Sequence, residues 1–297
     1  MNKGAIYAAG AYIIWGLLPL YWRALHSVPA GQILANRIVW SLVFVGLVLT
    51  ARRHWAWLRG ASRQPRVLMT FALSGTLLGI NWFIYIWAVN AGHIVETSLG
   101  YFINPLVNVL LGYLVLKERL RQAQWLALSI ALAGVLYLTF SYGAFPWIAL
   151  SLAFSFGAYG LIRKTATLNS AEGLFLETAL LSVPALAFLL LVQARGETAF
   201  GNSGTATTLL LMGTGIVTSI PLLLFAAGAR RITMTTLGLL QYIAPTMQFL
   251  IGVLIFHEPF GPDRVVGFGL IWLALIFYTV ESLWQRRMAI SLARARQ

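Results

Sequence analysis

Ten stretches of the chain are apolar over about 18–23 residues each, enough for a helix to cross a bilayer core of roughly 30 Å. They run over 4–22, 31–50, 67–88, 94–115, 122–140, 145–162, 171–192, 207–227, 233–255 and 265–284. Most connections between them are short, which leaves no room for a soluble domain. The alternation that lipid-facing barrel strands require is missing. The pattern predicts an all-α protein, a ten-helix transmembrane bundle. Small residues at helical spacing, such as Gly75 and Gly79, suit close helix packing. The first run is too long for a signal-peptide core and lacks an A-x-A cleavage site, so it is expected to be a retained helix.

Composition agrees with the pattern. The 297 residues are 59% hydrophobic and only 10% charged, with a mean hydropathy of +0.80. A soluble domain carries about 25% charged residues, and disorder needs low hydrophobicity. There is no cysteine, which excludes disulfides, thiolate metal sites and a cysteine nucleophile.

The net charge of +13 changes the picture only through its placement. With the N-terminus inside, seventeen basic residues fall in inner segments. They are Lys3, Arg52, Arg53, Arg59, Arg63, Arg66, Lys117, Arg119, Arg121, Arg163, Lys164, Arg230, Arg231, Arg286, Arg287, Arg294 and Arg296. Only Arg23, Arg195 and Arg264 fall outside, and Arg37 lies within the second run. This asymmetry predicts both termini in the cytoplasm. The positive charge is then a topology signal with an affinity for anionic membrane lipids, and no nucleic-acid role is implied.

An internal repeat is visible at an offset of 140 residues: Arg37 against Glu177, Pro105 against Pro245, and Glu118 against Glu258. Gly112 precedes Glu118 by six positions, as Gly252 precedes Glu258. Thr97-Ser98-Leu99-Gly100 matches Thr235-Thr236-Leu237-Gly238 at offset 138. The halves are 1–142 and 143–297, five helices each. Five is odd, so the second half enters the membrane from the opposite side, giving the inverted repeat common among secondary transporters.

The run Asn81-Trp82-Phe83-Ile84-Tyr85-Ile86-Trp87-Ala88-Val89, then Ser98-Leu99-Gly100-Tyr101-Phe102-Ile103-Asn104-Pro105-Leu106, then Lys117-Glu118-Arg119-Leu120, resembles the RarD branch of the EamA-type transporters, in the drug/metabolite transporter superfamily. Arg37 matches the family's arginine in the second helix. The resemblance covers the whole chain and implies a permease of the cytoplasmic membrane. Branch members are often labelled chloramphenicol-sensitivity proteins, a label that fixes no substrate. The second half departs from the first, with Glu177 answering Arg37 and His257 answering Lys117.

Ionisable groups at bilayer depth cost roughly 2.5–3.5 kcal/mol each, so Arg37 and Glu177 are the foremost candidates for binding substrate or a coupling proton. Each lies about 9 Å into its helix from opposite faces, at 1.5 Å per residue, so a direct pair is not required. Asn81, Tyr85 and Ala88 share a helical face. Asn104 and Asn108 flank Pro105, and Gln241, Tyr242 and Gln248 surround Pro245. Pro105 and Pro245 are expected to kink their helices and open a cavity lined by amides, with Trp82, Tyr85 and Tyr101 offering flat faces. Trp15, Trp22, Trp55 and Trp57 are expected at the lipid interface. Glu118 and Glu258 are expected to cap helix starts, as are Glu96 and Glu172. Glu281 is expected to meet headgroups or arginines. The histidines 26, 54, 93 and 257 show no ligand spacing.

No phosphate-binding G-x-x-x-x-G-K-[ST] loop, H-E-x-x-H or G-x-S-x-G occurs, so neither an enzyme nor a cofactor is expected. The function expected is secondary transport of small organic metabolites or drugs by alternating access, with proton coupling through Glu177 as an option. A non-transporting scaffold or lipid-interacting protein is the alternative.

Overall fold

The computed structural model describes residues 3–91, 93–143, 145–255 and 262–294. Among these every element is a helix: α1 (Lys3–Ala24), α2 (Ala30–Ala51), α3 (Ala56–Ser62), α4 (Pro65–Asn90), α5 (Ile94–Leu114), α6 (Gln122–Tyr142), α7 (Trp147–Thr165), α8 (Ser170–Ala194), α9 (Thr205–Ala229), α10 (Met234–Gln241), α11 (Ile243–Leu254) and α12 (Pro262–Arg294). Among the described residues seven stretches are long and apolar enough to cross a membrane, with α10 and α11 counted as one.

Local chemistry sets several ends. α6 stops at Gly143, whose φ of 75° is the left-handed C-cap glycine favours. α8 starts with a capping box in which the Glu172 carboxylate accepts the Asn169 backbone N–H at 2.8 Å. The ninth apolar run, read above as one helix, is interrupted at Tyr242. Pro245 supplies no N–H to the carbonyl four residues back, Gln241, and its ring crowds that carbonyl; α10 ends there. α5 runs through Pro105 without such a break. The short α3, between the second and third runs, has no counterpart in the hydropathy reading.

The long helices pair reciprocally. α2 packs on α8, α5 on α10 and α6 on α12; α1 packs on α9 as α4 packs on α7, and α1 packs on α10 and α11 as α5 packs on α7. The first three pairs are antiparallel. Gly31 faces the ring of Phe188 while Gly46 faces that of Phe175; Gly238 lies on Pro105 while Gly112 lies on Met234; Gly134 lies on Leu270 and Gly267 on Leu138.

One end of the bundle is knitted together by polar contacts. Lys164 donates to the Ala229 carbonyl at 3.0 Å and to that of Ile232. Arg230 donates to the Ala166 carbonyl at 2.9 Å and to that of Leu168. His54 meets Glu172 at 2.6 Å, and Arg121 meets Glu281 at 2.9 Å. This basic end gathers residues read above as loop charges; several of them satisfy helix-terminal carbonyls that would otherwise lack donors.

Candidate functional site

In the half of the bundle away from the basic end lies a cavity of about 160 Å³. Tyr12, Trp15, Leu18, Pro19 and Trp22 of α1 form one wall, with Arg37 of α2 and Thr218 and Leu222 of α9 beside them. Asn81, Trp82 and Tyr85 of α4, Tyr101 and Asn104 of α5, and Leu152 and Phe156 of α7 form the other. Gln241 of α10 with Ala244, Pro245 and Gln248 of α11 complete the lining.

Arg37 is the cavity's charged residue. Its Nε donates to Thr218 Oγ1 at 3.0 Å. Its guanidinium carbon lies 4.9 Å from the Trp22 ring centre and 4.7 Å from that of Trp82, within the range of a cation–π contact. The Tyr85 and Tyr101 hydroxyls hydrogen-bond to each other, and both side chains lie within electrostatic reach of Arg37. Asn81 donates to the Leu152 carbonyl and to Ser155 Oγ, both at 2.9 Å, which fastens α4 to α7. Asn108, buried just behind the lining, donates to Gln241 Oε1 at 2.6 Å and to Asn104 Oδ1 at 3.4 Å. The two cavity amides therefore use their oxygens on Asn108.

Of the residues singled out in the sequence, Arg37, Asn81, Trp82, Tyr85, Tyr101, Asn104, Gln241 and Pro245 line this one cavity. Three do not. Tyr242 is buried, with its hydroxyl donating to the Phe102 carbonyl at 3.3 Å. Pro105 faces Gly238, where a Cβ would come within 2.6 Å of its carbonyl oxygen.

Glu177 is fully buried outside the cavity. It lies 3.5 Å from Arg163 Nη1 and accepts from Ser74 Oγ at 2.5 Å and from the Tyr159 hydroxyl at 3.5 Å. Arg37 and Glu177 thus have separate partners. Arg163, counted above among loop charges, is 2% exposed. Its Nη2 donates to the Ser170 carbonyl at 2.8 Å, and it occupies space opened by Gly173, where a Cβ would strike the guanidinium.

Two more readings need correction. Trp15 and Trp22, expected at the lipid interface, line the cavity. Trp55 and Trp57, both half-buried, pack on the Phe175 ring at 5.0 and 6.3 Å between centres, a contact compatible with their expected interface position. Glu118 does cap a helix start, but not that of the helix following it in the chain. Its carboxylate accepts the N–H groups of Met234 and Thr235 at 2.7 and 3.0 Å and the Thr235 hydroxyl at 2.9 Å, all at the start of α10. The chain turns back through Lys117 at a φ of 54°, and the Glu118 N–H reaches the Gly112 carbonyl at 3.0 Å. A Cβ on Gly112 would sit 2.8 Å from the Glu118 carboxylate. The Gly-x5-Glu spacing is therefore a single unit: the glycine makes room for the carboxylate. Glu96, His257 and Glu258 lie outside the described side chains.

A second and larger cleft of about 810 Å³ lies along α5 and α6 and is lined chiefly by apolar side chains, among them Leu106, Leu110, Leu132, Leu136 and Phe140. No charged side chain lines it among the described residues.

The comparisons with known proteins follow the same lines. The model of the EamA-like transporter family matches residues 2–140 and again 146–280. Protein RarD of Streptomyces exfoliatus is 50% identical over 282 residues, covering 95% of this chain and 90% of that protein. An uncharacterized transporter, YojE of Bacillus subtilis, is 49% identical over 290 residues, covering 96% of each. A solved crystal structure superposes with a TM-score of 0.69 at 20% identity, covering 94% of this chain and 98% of that one, a likeness of fold alone. With its tandem match and its succession of apolar helices, this chain is a multi-pass membrane protein and belongs to the EamA-like transporter family, in the RarD branch.

Proposed function

We propose that the protein is a secondary transporter that carries a small organic solute by alternating access through the cavity around Arg37. The carrying observation is that the cavity takes its walls from both parts of the chain: α1, α2, α4 and α5 on one side, α7, α9, α10 and α11 on the other. In this reading the chain forms ten spans in two inverted halves, 1–142 and 143–297, with both termini on the cytoplasmic side of the inner membrane. The reciprocal pairing of helices, with α2–α8, α5–α10 and α6–α12 antiparallel, supports the inversion. Two inverted copies have two near-equivalent packings, one open to each side. The basic end, cytoplasmic by the charge rule, is closed by the Glu118 cap and by the contacts of Lys164 and Arg230, so the cavity faces outward. A scaffold without turnover gives no reason for a polar cavity inside an apolar bundle.

For proton coupling Glu177 is the group of choice, being the most deeply buried carboxylate among the described residues. It binds Ser74 of one half and Arg163 and Tyr159 of the other, so its charge acts on the seam rather than on the solute. Saturable uptake or exchange in proteoliposomes tests the transport reading. Silence across a broad panel of organic solutes, with folded protein in the vesicles, rejects it. Glu177→Gln, assayed well below its melting temperature, is expected to abolish pH-dependent flux; normal proton-driven flux in that variant removes Glu177 from the mechanism.

A further inference from the structure

We infer that the cavity selects a planar organic anion, one ring bearing one carboxylate or a similar acid group; this rests on the cavity being the solute site. Charge is the first argument. Arg37 lines the cavity, and no aspartate or glutamate lines it among the described residues. The nearest candidate in the sequence reading, Glu177, is held by Arg163 outside it. An arginine placed at bilayer depth without a counter-ion is costly, and an anionic solute supplies the missing partner.

Geometry is the second argument. The guanidinium is packed over the indoles of Trp22 and Trp82, and its Nε is spent on Thr218. What remains is the edge formed by Nη1 and Nη2, the two parallel donors that fit a carboxylate. The neighbouring polar groups extend the same pattern. Asn104 and Gln241, which line the cavity, use their oxygens on Asn108, so what they have left to offer is their NH2 donors. Among the described residues no anionic group lines the cavity to receive an ammonium, so the site discriminates against cations and zwitterions.

Size and surface are the third. A cavity of about 160 Å³ holds on the order of one benzene-sized ring. Trp15, Trp82, Tyr85, Tyr101 and Phe156 supply flat apolar walls for it.

The test is calorimetric titration of the purified protein in detergent with a matched series: phenylacetate (anion), phenylacetamide (neutral), phenethylamine (cation) and phenylalanine (zwitterion). Phenylacetate is expected to bind at least about 10-fold more tightly than each of the others. Arg37→Gln is expected to weaken phenylacetate about 10- to 100-fold, the worth of a charge-assisted contact, while leaving phenylacetamide unchanged. Arg37→Lys, which keeps the charge but loses the fork, is expected to fall between, and it guards against a folding defect in the glutamine variant. Equal binding of the amide or the amine, no phenylacetate binding at millimolar concentration, or full affinity in Arg37→Gln overturns the inference. Anion binding without saturable flux rejects the transport reading alone. Saturable flux of a neutral solute that survives Arg37→Gln rejects the anion site alone.

Discussion

Replacing Arg163 by methionine strands a buried carboxylate. Glu177 is fully buried, and its Oε1 lies 3.5 Å from Arg163 Nη1. At that separation and an effective dielectric near 20, the attraction is about 5 kcal/mol. The Ser74 and Tyr159 hydrogen bonds stay in place after the replacement, and they recover part of that. The expected loss is about 3–5 kcal/mol, the usual range for breaking one side of a buried pair. At roughly 2–4 °C per kcal/mol for a large domain, the melting temperature falls by about 10 °C. The pair itself is loosely made, since Arg163 Nε and Nη1 have no hydrogen-bond partner. Its desolvation therefore roughly offsets its attraction, and removing both charges is expected to be nearly neutral. The double variant Arg163→Met/Glu177→Leu should melt within a few degrees of the parent protein. Intrinsic tryptophan fluorescence during heating in detergent reads both, and size exclusion confirms the monodisperse fraction. A double variant as unstable as Arg163→Met refutes the reasoning, because the deficit is then not that of an unpaired carboxylate. So does a single variant that melts with the parent.

Three further expectations come from the helix caps and glycines. Glu118→Ala deprives the start of α10 of its acceptor for two backbone N–H groups and is expected to cost about 1–2 kcal/mol, read as a lower melting temperature that Glu118→Gln partly restores. Gly215→Ala drives a methyl into the α2 backbone at Trp40 and is expected to abolish recovery of folded protein from membranes. Gly60→Ala, where nothing lies within 4 Å, is expected to leave the melting temperature unchanged or raise it slightly.

Except for α12, which continues ten residues past the tenth apolar run, hydropathy located the long helices to within a few residues, because it measures a transfer cost that any spanning helix must meet whatever its neighbours. The run 122–140 is α6 (Gln122–Tyr142), and 171–192 lies within α8 (Ser170–Ala194). The α3 helix escaped because seven residues of mixed polarity carry no such signal. Azimuth is what the one-dimensional pattern lacks. A tryptophan near the end of an apolar run reads the same whether it faces headgroups or a cavity, so Trp15 and Trp22 were assigned to lipid although Arg37 lies over the Trp22 ring. Arg163 read as half of a loop pair with Lys164. α7 continues to Thr165, and the arginine turns back into the bundle beside Gly173. Gly173 was the available sign: it stands four residues before Glu177, on the same face of α8, and leaves a buried space there.

Two of the helices that bound the cavity show how polar groups are sheltered. α5 and α7 both carry polar groups along their length. α5 holds Asn104 and Asn108, and α7 holds Ser155, Gly157 and Gly160 with Arg163 and Lys164 at its end. These two helices pack on each other, α5 also meets α10, and each contributes to the cavity wall. A helix facing lipid on most sides cannot carry that polarity without loss. One shielded by other helices can, and its amides then find partners across the interface, as Asn108 finds Gln241. In this bundle the buried amides of α5 thus face α10 rather than lipid, and α5 and α7 together bound the cavity.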